Sequence, residues 1–376
     1  MKIKKLIFVI YGDKEYTYKL YGYSLPLGMG GSEKSLIYSI LLLKDFNFDI
    51  SIALNRISSE DLKNYKDSKI KLIPLKEKEK SLKEFIDKEI DKKEFESICF
   101  FIYNRIPTVF FLKLFYPKIK VILLLEGSFK LCAWDSFGAF ERFIVLLISF
   151  PTILMADKIL VDNKRNILFK IPCLRKKMAF FPVAINKDVF SNDLLKESNS
   201  NGHKNLLYSG RLNAKEKNPK LLFKAFEEIL KMRDDITLSV AGIENHILES
   251  LIKKYSFKRK DKIISLGKLQ NESMPEIYRK ADLLLVTSKT EGGSPNVILE
   301  ALACGTHVIS TKAIDPGVII DGINGYVAKN FNPKGYATLV LKALEAIDKK
   351  NLKDKNLVNP RYEPRFKLRR LKKLFV

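Results

Sequence analysis

Two doubly wound α/β halves are what this sequence predicts, on three observations. Short continuous apolar runs alternate with amphipathic stretches, the pattern of parallel strands buried on both faces and separated by helices. The alternation starts afresh after a polar segment, Ser191 to Lys204, so it describes two Rossmann-like domains, over 1–190 and 200–350. In each half a glycine-rich or Gly-Ser-Pro turn stands between a strand and a helix, where such folds expose backbone N–H groups to a ligand.

The opening LIFVIYG reads as the first strand. A polar, Tyr-rich insertion leads to Gly28-Met29-Gly30-Gly31 and an amphipathic stretch, SLIYSILLLKD, giving strand, glycine loop and helix. The spacing fits neither GxGxxG nor a Walker loop. Strands follow near Phe48 to Ala53 and Lys71 to Ile73, then a charged helix Ser81 to Asp91 and a strand Ser97 to Ile102. Helix 106–115, strand Val121 to Leu125, a long helical region 137–155 and strands at Lys158 and Met178 complete the first half. The second half predicts strand Asn205 to Tyr208, helix Pro219 to Lys231, strand Ile236 to Val240, helix His246 to Tyr255 and strand Lys262 to Ser265. Helix Met274 to Lys280, strand Asp282 to Val286 and helix Pro333 to Ile347 follow. The amphipathic tail RFKLRRLKKLFV has helical spacing.

With 376 residues, 46% of them hydrophobic, the chain can bury two cores. Its formal charge of +24 points to an anionic partner: nucleotide, acidic lipid or nucleic acid. Nucleic acid is disfavoured, because no aromatic-basic motif or reading helix accompanies the lysines. Four scattered cysteines and three scattered histidines indicate neither a zinc site nor a disulfide framework. The first apolar run is too short for a signal peptide, and the longest, Phe143 to Ala156, is interrupted by Pro151 and too short to span a bilayer. A cytoplasmic protein is expected, with peripheral contact to the inner face of the cytoplasmic membrane open.

The chemistry concentrates in Ser288 to Ser310. Glu291 and Glu300 flank Gly292-Gly293-Ser294-Pro295, and Pro295 suits the first position of the helix that follows. The N–H groups of Asn296 and Val297 would then face an anion. Upstream, Ser209-Gly210-Arg211 ends a strand and Lys217 lies six residues on, two cations able to grip a diphosphate.

Together these segments resemble a known family. SGRLNAKEKNP, SLGKLQNESMPEIYRKADLLLVTS and EGGSPNVILEALACGTHVIST are similar to the C-terminal domain of family 4 retaining glycosyltransferases (glycosyl transferases group 1), almost continuously over 205–330. The resemblance implies the GT-B fold, two Rossmann-like domains facing across a cleft. It implies that Arg211 and Lys217 bind the nucleotide diphosphate, with Lys215 the alternative second cation. Glu300 would accept from the donor ribose hydroxyls and Glu291 would contact the transferred sugar. Ser294, Pro295, Asn296 and Val297 would meet the phosphates, Lys268 and Leu269 the base, and Gly30 and Gly31 would close over the donor from the other domain. Eight residues separate the two glutamates where the family has seven. Glu126, Gly127 and Ser128 stand where many members have His-Gly or His-Asp, and are the acceptor-side candidates.

The implied reaction is transfer of a hexose-type sugar from a nucleotide diphosphate donor, UDP- or GDP-linked, to a hydroxyl of a lipid-linked or cell-envelope glycan, with retention. No acidic metal motif is apparent, so no metal or other cofactor is expected beyond the donor substrate. The alternative is a non-catalytic nucleotide-sugar or membrane-surface binding subunit of the same fold. Residues 360–376 are expected to pack back on the N-terminal domain as a helix, or to dock its basic stripe on anionic lipid. The Phe-rich stretches Val109 to Phe115 and Phe143 to Leu154 are expected to be core.

Overall fold

The computed structural model describes residues 3–10, 40, 43, 48–55, 70–75, 78–103, 106–125, 150–162, 170–187, 189–192, 202–291, 295–314, 316–350 and 357–375. The chain divides into two compact units, residues 1–182 with 364–376, and residues 183–363.

Unit 1 is built on a parallel sheet of β1 (Lys5–Ile10), β2 (Asp49–Asn55), β3 (Ile70–Leu75), β4 (Ile98–Tyr103), β5 (Lys120–Leu125), β6 (Lys158–Val161) and β7 (Met178–Phe180), in the order β3-β2-β1-β4-β5-β6-β7. Its strands read as continuous apolar runs because both faces are covered. Along β1, Ile7 and Val9 enter one core cluster with Phe100, Ile102, Val121 and Leu123. Leu6, Phe8 and Ile10 enter the opposite one with Phe101, Ile122 and Leu124. Phe8 and Phe101 stack across the β1–β4 pair with ring centroids 4.5 Å apart.

Helix α1 (Lys78–Glu89) ends two residues before the expected Asp91, whose carboxylate instead accepts from Lys93 N at 2.9 Å and caps a 3₁₀ turn over Lys92–Ser97. Helix α2 (Ile106–Phe115) has the predicted bounds, but its aromatic residues are not all core. Ile106, Val109 and Leu112 face the sheet, whereas Phe110, Leu114 and Phe115 are 47%, 56% and 53% exposed. A helix that is apolar all round can bury only the stripe it turns to the sheet, and residues 110 and 114, one turn apart, lie on the other side. Of the stretch from Phe143 to Leu154, only residues 150–154 are described; they are helical, with Ile153 buried.

Unit 2 repeats the plan. Its parallel strands are β8 (Lys204–Ser209), β9 (Ile236–Ala241), β10 (Ile263–Gly267), β11 (Leu283–Val286), β12 (His307–Thr311) and β13 (Gly325–Ala328), ordered β10-β9-β8-β11-β12-β13. Helices α3 (Pro219–Leu230), α4 (Asn245–Lys254), α5 (Met274–Lys280), α6 (Asn296–Ala303) and α7 (Pro333–Lys350) alternate with them. Phe223 and Phe226 of α3 and Tyr336, Val340 and Leu344 of α7 enter one cluster against Leu206, Leu238 and Leu285 of the sheet. Strand β13 went unforeseen, being four residues long and following a turn. Its first residue must be glycine: a Cβ at Gly325 would lie 1.9 Å from the Val308 carbonyl oxygen.

Residues 183–190, expected to close the N-terminal domain, belong to unit 2. Ile185 N donates to Tyr362 O at 3.1 Å, and Lys187 pairs with Glu363 at 2.7 Å. Helix α8 (Pro364–Phe375) falls within unit 1, where Leu368 packs against the cluster of Leu6, Phe8 and Phe101. Lys367 is buried, its ammonium 4.4 Å from the centre of the Phe181 ring, while Arg365, Arg369, Arg370 and Lys373 remain exposed.

Candidate functional site

Strand order in unit 2 reverses at β8, whose neighbours β9 and β11 are reached by crossovers in opposite directions. The carboxyl ends of strands at such a switch point form a crevice open to ligand. Ser209 ends β8 with Gly210 and Arg211 next in the chain, and Thr287, Ser288 and Glu291 follow β11, so the two candidate segments are brought together at that point.

The β8 exit depends on glycines in neighbouring strands. Gly210 N donates to Ala241 O at 3.0 Å, Gly242 N to Gly267 O at 2.8 Å, and a Cβ on Gly242 would stand 3.0 Å from the Gly210 backbone. Gly242 also has φ of +91°, so close approach and backbone conformation both require glycine. Beyond Arg211 the chain turns through a 3₁₀ segment, Lys215–Lys217, into left-handed Asn218 and Pro219 at the start of α3. Asn tolerates that conformation better than most residues, and proline suits the first helical position.

This turn is laced to the β11 exit. Thr287 Oγ1 donates to Lys217 O at 2.8 Å, Lys289 N to Glu216 O at 2.7 Å, and Thr311 Oγ1 to Ser288 O at 2.5 Å. Across the lacing, Lys217 Nζ lies 2.6 Å from Glu291 Oε1, with the side chains 19% and 11% exposed. Ser288 Oγ donates to the same carboxylate oxygen. Arg211 and Lys215 are exposed on the same loop. Of the alternatives for the second cation, Lys217 is the one tied to the glutamate segment.

Glu300 is buried within α6, and Tyr278 Oη donates to its Oε2 at 2.8 Å. Burial, followed by the nearby Glu300 charge, raises the Tyr278 pKa well above its ordinary value. Tyr208, next to the β8 exit, is raised in the same direction by burial and then by Glu291.

Pro295 differs from expectation. Helix α6 begins at Asn296, and Pro295, with ψ of 134°, is the extended residue just before it. Pro295 O accepts from Ile298 N at 3.0 Å, so Asn296 and Val297 still form the first turn. Lys268 is exposed and paired with Glu244, with Leu269 half-buried beside it, at the end of β10 and two strands from the Lys217–Glu291 pair. The Asp234-Asp235 pair is engaged in salt bridges, Asp234 with Arg259 and Lys262 and Asp235 with Arg233. Gly30, Gly31, Glu126, Gly127, Ser128 and Ser294 lie outside the described residues.

Sequence reasoning missed Ser288, Thr287, Tyr278 and Ser209. Ser288 carried a signal, standing three residues before Glu291. Tyr278 carried none, since 22 residues separate it from Glu300 and only the fold brings them together.

Comparison with known proteins bears on this C-terminal unit. Residues 203–346 match the family model of glycosyl transferases, group 1. Among curated proteins, the chain is 27% identical over 166 residues to spore coat protein SA of Bacillus subtilis, covering 42% of this chain and 44% of that one. It is 31% identical over 131 residues to lipopolysaccharide 1,2-N-acetylglucosaminetransferase of Salmonella typhimurium, covering 32% and 34%. The matches thus span less than half the length of these relatives.

Similarity of fold extends further. A glycosyltransferase of Rickettsia africae superposes with a TM-score of 0.72 at 17% identity, covering 99% of this chain and 98% of its own. Anabaena HepE in complex with UDP gives 0.71 at 13% identity, covering 99% of each. The fold is that of the GT-B glycosyltransferases, and the two parallel α/β sheets agree with it. No helix among the described residues is long and apolar enough to cross a membrane.

Proposed function

We propose that this protein is a retaining glycosyltransferase that moves a hexose-type sugar from a nucleotide diphosphate donor to a hydroxyl acceptor. The observation that carries the proposal is the Lys217–Glu291 pair, held by Ser288 at the switch point of the sheet. In this reading Lys217 and Arg211 bind the diphosphate. Their fixed charge stabilises the negative charge that develops on it as the glycosidic bond breaks. Glu291 contacts the transferred sugar, Glu300 the ribose, and the first turn of α6 at Asn296 and Val297, with Ser294 and Pro295, meets the phosphates. Lys268 and Leu269 meet the base, and Gly30 and Gly31 cover the donor.

Catalysis then comes chiefly from positioning and leaving-group stabilisation, with no metal and no cofactor besides the donor. The acceptor is a lipid-linked or cell-envelope glycan. Two named relatives, one of the spore coat and one acting on lipopolysaccharide, support a surface glycan. HepE, the structural neighbour holding UDP, supports a nucleotide donor. Glu126, Gly127 and Ser128 remain the acceptor-side candidates, and the protein works in the cytoplasm, with peripheral contact to the inner membrane face left open.

The test is a thermal-shift screen against nucleoside diphosphates and their sugars without added metal, followed by a transfer assay with the stabilising donor. A ligand that binds only the folded state raises the melting temperature. One nucleotide series should stabilise the wild type, and Arg211→Ala and Glu300→Ala should lose the shift. If nothing stabilises the wild type at millimolar concentration, the donor site is misplaced. Binding without any turnover would identify a non-catalytic binding subunit instead.

A further inference from the structure

Tyr278 is fully buried in α5, and its hydroxyl sits between two parts of the candidate site. It donates to Glu300 Oε2 at 2.8 Å, and Ser209, the residue that ends β8, hydrogen-bonds to the same phenol. The backbone around it is fixed as well: Ala281 N donates to Tyr278 O at 3.0 Å, and Thr306 Oγ1 donates to that oxygen at 2.5 Å. The Phe190 ring packs 6.2 Å from the Tyr278 ring, centroid to centroid. One side chain therefore connects the strand end that leads into Gly210-Arg211 with the carboxylate in α6. Burial and the Glu300 charge keep the phenol protonated, so it remains a donor throughout the range in which the protein would be handled.

We propose that Tyr278 is a positioning residue that fixes the Glu300 carboxylate for the ribose hydroxyls, and thereby makes the site select ribonucleotides over forms lacking those hydroxyls. The inference rests on the donor-site role proposed above for Glu300. A glutamate side chain has three rotatable bonds, and a carboxylate that must meet a vicinal diol discriminates only if its plane is held. Tyr278 holds one oxygen through an anchor that cannot itself move, because the ring is enclosed and its own oxygen is bonded on the Ser209 side. Removing the phenol oxygen leaves the ring in place and takes away the hydrogen bond that holds Oε2. The loss should fall on recognition of the diol more than on the diphosphate.

The experiment compares dissociation constants of UDP, GDP and ADP, each beside its 2′,3′-dideoxy form, on the full chain by calorimetry. Wild type, Tyr278→Phe, Ser209→Ala and Glu300→Gln are measured together. For the nucleotide that binds, the wild type should prefer the ribose form by about tenfold to a hundredfold, the range for hydrogen bonds to a charged group. Glu300→Gln should collapse that ratio, Tyr278→Phe should lower it severalfold, and Ser209→Ala should lower it less. A merely structural role would weaken both forms equally and leave the ratio intact. If Glu300→Gln collapses the ratio and Tyr278→Phe does not change it, the positioning role is wrong and the Glu300 assignment stands. If the wild type shows no preference, or binds no nucleotide, the Glu300 assignment fails and takes the inference with it. Should Tyr278→Phe not fold, Ser209→Ala decides alone: a reduced ratio supports the role and an unchanged one overturns it.

Discussion

Lys217 and Glu291, 74 residues apart, meet at 2.6 Å where the loops after β8 and β11 are tied together. In the function proposed above the pair links the cation for a diphosphate with the carboxylate for a sugar, so altering either should disturb both stability and turnover. Lys217→Ala takes the cation from a mostly enclosed carboxylate that keeps its Ser288 hydrogen bond, and should cost about 1.5–3 kcal/mol, the worth of a hydrogen bond to a charged group. Turnover should fall on the order of a hundredfold to a thousandfold, as when one preorganised charge-stabilising donor is removed. Urea denaturation and a transfer assay check the two parts. Unchanged turnover in Lys217→Ala would shift the role to Lys215.

Gly242→Ala should harm the site from behind. The new Cβ meets the Gly210 backbone at 3.0 Å, and the residue would be held at φ of +91°. A strain of about 1–3 kcal/mol is expected, with nucleotide affinity reduced because the Arg211 turn must move. Denaturant midpoints and nucleotide calorimetry together read both effects; weakened affinity at full stability would point to displacement of the turn alone.

Three tyrosines of unit 2 should make the protein sensitive to alkali. Burial is the largest cause of the raised pKa of Tyr208, Tyr278 and Tyr336. Each folded-state pKa is above its unfolded value, so each contribution is intact below pH about 10, the unfolded tyrosine pKa, and is lost as pH rises beyond it. With three protons retained by the folded state, stability should fall by roughly 4 kcal/mol per pH unit in that window, at about 1.4 for each tyrosine. Denaturation at pH 9, 10 and 11 measures the slope.

Tyr336→Phe should lower the alkaline slope by one tyrosine while destabilising the protein at neutral pH. Its hydroxyl donates to Ile309 O at 2.7 Å and accepts from Val286 N at 3.1 Å, joining β11 and β12 beneath the site. Leaving these buried groups without the hydroxyl should cost about 1–3 kcal/mol. A neutral-pH stability equal to that of the wild type would exclude this joining role.

On α2, Phe110→Ser, Leu114→Ser and Phe115→Ser should each change stability by no more than about 0.5 kcal/mol, since these side chains are exposed. Val109→Ser, one residue away but enclosed, should cost several times as much. Urea melts of the four variants provide the comparison.

The alternation of strands and helices was legible in the sequence because strands covered on both faces are written as uninterrupted apolar runs. Helices α2 and α5 have the bounds expected of them. The exposed side of α2 was not legible, since Phe110 and Val109 are equally apolar and only the sheet decides which one turns inward. Arg211, Lys217, Glu291 and Glu300 could be picked out as charged residues beside turns. The lacing by Thr287, Ser288 and Thr311 could not, because hydroxyl residues are common in any strand exit and their partners lie up to 70 residues away. Tyr278 looked like an ordinary helix residue until the fold enclosed it beside Glu300.

The return of α8 to unit 1 makes unit 2 an insertion within it, with its two ends side by side where Ile185 meets Tyr362 and Lys187 meets Glu363. During synthesis, unit 2 emerges from the ribosome in full before the segment that supplies Leu368 to the core of unit 1. The half begun first therefore waits for its last helix until the other half has been made in full. The adjoining ends also make residues 183–363 a natural cassette for exchange between related chains, spliced at two junctions that lie next to each other.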